Sequence, residues 1–195
     1  MSQVKSISSA TEEQFVKLTA KAKEMGATTK FTAKESADAF NYMAMAGWKP
    51  EQMLDGIEGV LSLAAASGED LGKTSDIVTD ALTAFRLKAS DAMHFSDVLA
   101  QTAASANTNV GMMGETFKYV GAMAGTLGYS IEDVGLMVGL MANNSIKGSM
   151  AGTQLNSIFT RLSTNTHGAR DAIKELGINF FDSAGKARDL SDIID

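Results

Sequence analysis

The sequence predicts an all-α fold, a compact multi-helix array of helical hairpins with about eight or nine helices and a small C-terminal β-hairpin. Two observations support the helical part. The 195 residues include one proline and eighteen glycines, so long helical runs are tolerated and glycine ends them. In addition, the helix ending Gly47-Trp48 returns as Gly128-Tyr129, and each pair precedes another predicted helix.

The first segments divide into a polar lead and two helices. Residues 1–10 are polar, and we expect them to be disordered. A first helix is predicted from Thr11 to a stop at Gly26, because its apolar residues recur on one face. Thr32 and Glu35 have capping-box spacing, which predicts the start of the second helix.

Three further helices are expected in the middle of the chain. Pro50 suits the first position of a third helix, where its missing N–H is not needed, and Gly68 suits its end. A fourth helix is expected over about 70–86. Ser90 is the predicted N-cap of a fifth.

The remaining helices follow a polar break at 107–109, after which the sixth begins. Ser130 and Asp133 form a shorter capping box for the seventh. The eighth is expected over 150–163, and a short ninth near 167–176.

The last eighteen residues have a different pattern. Residues 178–181 favour a strand, 182–185 have turn chemistry, and 186–190 are the expected second arm of a hairpin. Ser191 then begins another helix cap just before the sequence stops. This pattern predicts that the sequence is a piece of a longer protein.

The predicted organisation is therefore a disordered segment at 1–10, a helical core domain at 11–177, and the hairpin with a truncated helix start at 178–195. The two Gly–aromatic corners align at an offset of 81 residues. Two explanations remain open: a true duplication, or sequence signals that helical hairpins share in general.

Charge and composition exclude several classes of protein. The formal net charge is −6, whereas proteins that bind nucleic acid usually carry a broad basic surface, so no nucleic-acid site is predicted. The absence of cysteine excludes disulfides and thiolate metal sites. The longest apolar uncharged stretch, Val134 to Ile146, is shorter than the roughly twenty residues of a membrane span.

Sequences that resemble catalytic motifs have simpler explanations. Residues 68–74 (GEDLGKT) have three residues between their glycines, where a P-loop needs four, and two carboxylates stand where phosphate would bind. His94 lies between Asp91 and Asp97, but these carboxylates spread around a helix and no second histidine is near. We therefore predict no catalytic, cofactor or metal site.

The two corners supply the first candidate interaction residues: Gly47, Trp48 and Glu51 in one, Tyr129 and Glu132 in the other. Each corner is a glycine, an aromatic residue, two spacers and a glutamate. Trp48 has two possible roles, a corner anchor that packs one helix on the next and an exposed anchor for another protein.

Four helix glycines complete the candidate set. Gly121 and Gly125, and likewise Gly135 and Gly139, are spaced four residues apart on adjacent predicted helices. Because a glycine inside a helix costs roughly 1 kcal/mol relative to alanine, a compensating contact is expected. Either the spacing brings two backbones together inside the domain, or it leaves a groove for a partner.

Several long motifs resemble the core of phage tail tape measure proteins. They occur in the same order, at residues 26–48, 63–82, 107–134 and 146–153, and the resemblance covers essentially 11–195. The sequence departs from the family in two places. Arg86 stands where the family often has glycine, and Asn144-Ser145 replaces a smaller pair.

The resemblance implies a structural protein of a long-tailed phage or prophage. Tape measure proteins set tail length, scaffold tail-tube assembly and leave during DNA ejection. The implied partners are tail-assembly chaperones, tail tube and tip proteins, and further copies of itself. The implied location is the virion tail, reached from the host cytoplasm during assembly. No cofactor or catalytic residue is carried over.

Two other functions remain as alternatives, the helical domain of a tail-associated cell-wall hydrolase and a regulatory helical adaptor unrelated to phage. Helix geometry adds a limit to the tape measure interpretation. A continuous helix of this length would span about 290 Å, and the internal glycines predict a much shorter folded anchor. The measuring length would then lie in sequence outside this segment.

Overall fold

The computed structural model describes the protein at residues 1–163, 173, 175, 177–183, 186–189 and 191–194. Over these residues the fold is all-α, as the sequence predicts, and no strand is present. The chain divides into two compact units, Met1–Gln101 and Thr102–Asp195. Within the described ranges, no helix is both long and apolar enough to cross a membrane.

Helices of the first unit pack both on the next helix along the chain and on the helix after that. They are α1 (Ser2–Ser8), α2 (Glu12–Thr28), α3 (Ala33–Met45), α4 (Pro50–Ser67), α5 (Leu71–Ala84) and α6 (Ala92–Ser105), which begins in this unit. Helix α2 contacts α4, and α3 contacts α5. Their shared core contains fully buried large side chains, among them Leu18, Phe40, Met43, Met53, Ile57 and Leu61.

Local sequence signals account for several helix ends in this unit. The capping box of α3 is confirmed: the Glu35 N–H donates to Thr32 Oγ1 at 3.2 Å, and the Thr32 N–H donates to Glu35 Oε2 at 2.7 Å. Pro50 occupies the first turn of α4. Gly68 ends α4 at φ +70°, a left-handed conformation in which glycine has no steric penalty.

Two features near the N-terminus differ from the sequence prediction. Where residues 1–10 were expected to be disordered, the structure has α1, whose Val4 is fully buried and which packs on α3. The predicted stop at Gly26 is wrong, because α2 continues to Thr28. Gly26 serves another purpose: a Cβ there would lie 2.4 Å from the backbone nitrogen of Ala33, so its missing side chain admits the following helix.

The connection between α5 and α6 also differs from expectation. Ser90 is not the N-cap of α6, since it lies inside a 3₁₀ turn, Ala89–Asp91, that leads into the helix. That turn is capped by Asp91, whose Oδ2 accepts the Lys88 N–H at 2.8 Å. Arg86 has φ +58°, so the residue that departs from the family's glycine occupies a left-handed position.

The second unit is built on the pairing of α7 with α9. Its helices are α7 (Val110–Leu127), α8 (Ile131–Asn143), α9 (Gly148–Ser163) and the short α10 (Ser191–Ile194). Ser130 and Asp133 form the predicted capping box of α8. Ser145, the other departure from the family, also has positive φ, at +68°. The helix expected near 167–176 lies outside the described residues, apart from helical Ile173 and Glu175.

The predicted C-terminal β-hairpin is wrong. Its described residues form a turn with a single antiparallel bridge between Phe181 and Ala187. Two backbone hydrogen bonds flank the bridge, from the Asp182 N–H to the carbonyl of Lys186 at 2.8 Å and from the Arg188 N–H to that of Phe180 at 3.0 Å, but no strand extends beyond them within the described residues. The Ala187 N–H donates to the carbonyl of Leu127 at the end of α7, at 3.1 Å, and the Lys186 N–H donates to Asp182 Oδ1 at 2.9 Å. The segment therefore caps a helix end instead of extending as two strands.

Candidate interaction surface

The first corner is a helix end that buries its aromatic residue. Gly47 has φ +88°, which lets the Trp48 N–H donate to the carbonyl of Met43 at 3.1 Å and the Gly47 N–H to that of Ala44 at 3.0 Å. Trp48 is only 6% exposed. Its ring lies against Gly56 of α4, where a Cβ would come within 2.4 Å of Cζ3. Trp48 is thus a corner anchor inside its own unit.

The second corner has the same backbone device and a different aromatic contact. Gly128 has φ +84°, and both its N–H and that of Tyr129 donate to the carbonyl of Ala124 at 3.0 Å. The Tyr129 ring stacks on Phe159 of α9 with centroids 4.5 Å apart. Burial of the phenol, with the negative charge of Asp133 as a smaller cause, raises the pKa of Tyr129 above its usual value.

The two glutamates occupy equivalent places after the corners. Glu51 and Glu132 are exposed in the first turns of α4 and α8, where carboxylates interact favourably with the helix dipole. Glu51 Oε1 also accepts a hydrogen bond from Gln14 Nε2 at 2.5 Å, which links α4 to α2. A hydrogen bond from its own backbone N–H lowers the pKa of Glu51, and the hydrogen bond from Gln14 lowers it further.

The four predicted helix glycines lie in the second unit, and most are covered. Gly121, Gly135 and Gly139 are buried, and Gly125 is half-buried. At Gly139 a Cβ would meet Ala106 Cβ at 3.4 Å and Thr102 Cγ2 at 3.5 Å. These are ordinary van der Waals distances, so an alanine would fit at Gly139. The residues that Gly139 faces belong to its own unit.

Sequence reasoning missed Gly59, which, like Gly26, lies where two backbones of the first unit touch. A Cβ on Gly59 of α4 would lie 2.4 Å from the carbonyl carbon of Ala92 and 2.6 Å from the nitrogen of Met93. The buried Ser96 hydroxyl donates to the carbonyl of Gly59 at 2.8 Å. The signal that could have identified it was a pair of glycines, Gly56 and Gly59, inside an apolar helix, where each carries a propensity cost.

A close helix crossing in the described part of the second unit was missed as well. A Cβ on Gly152 of α9 would lie 2.6 Å from the carbonyl oxygen of Thr116 and 2.7 Å from Tyr119 Cβ on α7. The Thr116 hydroxyl donates to the carbonyl of Gly148 at 2.9 Å. Gly148 and Gly152 have the same four-residue spacing as the pairs singled out above, so the signal was present in the sequence.

The sequence that resembles a P-loop is a helix N-terminus. Asp70 Oδ1 accepts the N–H groups of Gly72 at 2.8 Å and Lys73 at 3.2 Å, so a carboxylate already occupies the donors that would bind phosphate. Lys73 pairs with Glu69 at 2.9 Å. His94 lies exposed on α6. Across the part of the chain that the structure describes, no three metal-binding side chains are close enough to hold an ion.

The candidate residues are divided between the two units of the chain. Gly47, Trp48 and Glu51 belong to the first unit, and the other six to the second. Both corners bury an aromatic side chain and depend on glycine for their backbone geometry. The class of protein that these features define is an all-α packing module.

Comparison with known proteins identifies the family. The model of the phage-related minor tail protein family matches residues 19–195, and the chain belongs to this family. It is similar to the tape measure protein of Pneumococcus phage Dp-1, with 38% identity over 95% of this chain and 16% of that protein.

A second relative gives the same result. The chain is similar to the probable tape measure protein of Escherichia phage P2, with 30% identity over 89% of this chain and 21% of that protein. The chain therefore spans about a sixth to a fifth of the length of these relatives. No solved structure matches it.

Proposed function

We propose that this chain is the folded assembly region of a tape measure protein in the tail of a phage or prophage. The observation that carries the proposal is the family match over 19–195, together with two relatives that are named tape measure proteins. In this role the chain helps to set tail length and scaffolds the tail tube through protein–protein packing. Its partners would be tail-assembly chaperones, tube and tip proteins, and further copies of itself.

Helix geometry divides the work between this chain and the rest of the protein. A helix rises about 1.5 Å per residue, so a measuring rod needs long uninterrupted helix. Among the helices that the structure describes, the longest are α4 and α7, which have 18 residues each and end at the left-handed glycines Gly68 and Gly128. The chain is the anchor, and the measuring length lies in other parts of a protein several times longer. Assembly takes place in the host cytoplasm, and the product resides in the virion tail.

A deletion series in the complete gene tests this division. In-frame deletions in predicted helical sequence outside this region should shorten the tails by about 1.5 Å per residue removed. Deletion of α8, residues Ile131–Asn143, should instead abolish tails, because it removes part of the core of the second unit. Tail length and tail number are measured by electron microscopy of lysates.

The α8 deletion distinguishes a region needed for assembly from a region that measures tail length. Tails that are intact and about 20 Å shorter after the 13-residue deletion would show that this region itself measures length. A zymogram of the purified chain tests the hydrolase alternative, and a zone of cell-wall lysis would replace the proposal with an enzyme. We expect no such zone.

A further inference from the structure

The two units of the chain contain the same arrangement of three helices. In each, a helix ends at a left-handed glycine followed by a buried aromatic residue, a second helix follows, and a third packs back on the first. These helices are α3, α4 and α5 in the first unit and α7, α8 and α9 in the second. In both corners the aromatic residue's N–H donates to the carbonyl five residues earlier, from Trp48 to Met43 and from Tyr129 to Ala124. The resemblance therefore extends from the corner to the helices around it.

The third helix of each unit meets the first helix in the same way, with a glycine against a tyrosine. A Cβ on Gly72 of α5 would lie 3.0 Å from Cζ of Tyr42 on α3, and a Cβ on Gly152 of α9 would lie 2.7 Å from Cβ of Tyr119 on α7. Each of these glycines comes four residues after another glycine, which has positive φ, and the two glycine pairs are 80 residues apart. The two crossings therefore correspond residue by residue.

The order of buried and exposed residues agrees with this correspondence. From their N-caps to Tyr42 and Tyr119, helices α3 and α7 align at an offset of 77 residues. Over this part, residues 36–40 and 113–117 have the same sequence of buried and exposed positions. At the corners the offset is 81, so α7 has four extra residues, about one helical turn, before its glycine. An extra turn leaves the same side of the helix facing the core.

A contact made by the preceding helix is repeated as well. Lys21 of α2 pairs with Glu58 of α4 at 2.6 Å. The residues 81 positions later are Thr102 and Gly139, and they are also neighbours, because a Cβ on Gly139 would lie 3.5 Å from Thr102 Cγ2. The sequence signals that helical hairpins share act within a few residues. They do not account for a contact between helices that recurs at both of its positions, whereas a duplication does.

At matched exposed positions of α3 and α7, both copies retain an acid and a tyrosine. The carboxylate precedes the tyrosine by four residues in each: Asp38 before Tyr42, and Glu115 before Tyr119. Both carboxylates are exposed, and the tyrosines are 36% and 51% exposed. Side chains four residues apart are neighbours on a helix surface. We call the two pairs the acid–tyrosine faces.

We propose that the chain is a duplicated helical repeat whose two acid–tyrosine faces bind the same basic protein partner, one copy on each unit, an inference that rests on the proposed assembly role. Packing inside the chain does not explain the retained charge. Within the described residues neither carboxylate bonds to another helix, and Glu115 pairs with Lys118 of its own helix at 3.3 Å. The ring of each tyrosine has a packing role at the crossing glycine, but the acid beside it has none.

The chemistry of the faces selects the occupant. An arginine side chain fits an acid next to a tyrosine, because its guanidinium group can hydrogen-bond the carboxylate and stack on the aromatic ring. The formal charge of −6 also attracts a basic partner and repels an acidic one. Because the two faces have the same chemistry, each should contribute equally to binding.

Charge reversal in the phage that carries this gene tests the proposal. Asp38→Lys combined with Glu115→Lys should lower tail numbers about tenfold or more, because each face loses a charge-assisted contact and repels a basic partner. Either change alone should give a smaller defect, equal for the two. The matched control is Asp55→Lys combined with Asp97→Lys, which reverses two other exposed helix carboxylates by the same total charge and should give normal tails.

Selection of revertants identifies the partner by its chemistry. Phage that regain tails from the double charge reversal should carry second changes that replace arginine or lysine by an acidic residue in one other tail gene. Circular dichroism melts of the purified double variant should match the parent chain, which separates lost binding from lost folding. Normal tails from the double variant, second changes confined to this chain, or a defect from only one of the two single changes would overturn the proposal. Any of these results would leave the tail-length experiment, and the proposed function, untouched.

Discussion

Replacement of Gly152 by alanine should loosen the contact between α7 and α9, which forms the centre of the second unit. The added Cβ would lie 2.6 Å from the carbonyl oxygen of Thr116 and 2.7 Å from Tyr119 Cβ. Neither neighbour is the free end of a flexible side chain, so the helices must move apart. The hydrogen bond from the Thr116 hydroxyl to Gly148 would be weakened, although that hydroxyl retains the carbonyl of Met112 at 3.1 Å.

Opposing terms set the size of this effect. Alanine in place of glycine within a helix stabilises by about 1 kcal/mol. Overpacking costs about 1–3 kcal/mol, and a weakened hydrogen bond costs up to about 1 kcal/mol more. We therefore expect Gly152→Ala to lower the free energy of unfolding by about 1–2 kcal/mol.

Gly139→Ala is the matched control in the same unit. Its Cβ would meet neighbouring carbons at 3.4 and 3.5 Å, so the helix-propensity gain should remain and the free energy of unfolding should rise by up to about 1 kcal/mol. Thermal unfolding followed by circular dichroism should place the melting temperature of Gly152→Ala about 5 °C or more below that of Gly139→Ala. If Gly152→Ala melts at or above the control, the close crossing of α7 and α9 is not a constraint on stability.

Three further predictions concern the corners and turns. Arg86→Gly should raise the free energy of unfolding by about 0.5–1 kcal/mol, because it relieves the left-handed strain at φ +58°, and a lower denaturation midpoint would contradict this. Gly47→Val should destabilise the fold more than Trp48→Phe, because a β-branched residue at φ +88° is strained, whereas phenylalanine keeps most of the buried aromatic side chain. Equal melting temperatures for the parent and both variants would refute this prediction. Because burial raises the folded-state pKa of Tyr129, its contribution is fully present below the unfolded pKa of about 10 and is lost as the pH rises through the folded pKa. Tyr129→Phe should remove that part of the alkaline loss of stability, and an unchanged slope above pH 10 in urea titrations would show that the phenol is not responsible.

Local chemistry made much of the helical fold predictable. The capping pairs Thr32–Glu35 and Ser130–Asp133 and the first-turn Pro50 have side-chain or backbone properties that act within four residues. Those signals need no knowledge of the rest of the fold. They located helix starts well, and left-handed glycines located several ends.

Features set by contacts between different elements of the fold could not be predicted in the same way. Gly26 reads as a stop, yet its role is set by the approach of Ala33, which only the folded chain reveals. The C-terminal segment has the sequence pattern of a hairpin, but its described residues form a single bridge, and the Ala187 N–H donates to the end of α7, sixty residues earlier in the chain, a contact that the sequence does not reveal. The glycines at the helix crossings, Gly59 and Gly152, were missed because spacing alone does not identify the helix that approaches.

Tail assembly by the phage that carries this gene, with Gly152→Ala or Gly139→Ala introduced, tests most directly whether helix packing in this chain is its function. Cultures are grown at a temperature at which the purified Gly152→Ala chain is unfolded and the Gly139→Ala chain is folded, and tails are counted by electron microscopy. We expect few or no tails from Gly152→Ala and normal numbers of tails from Gly139→Ala. Normal tails from both variants would contradict the account.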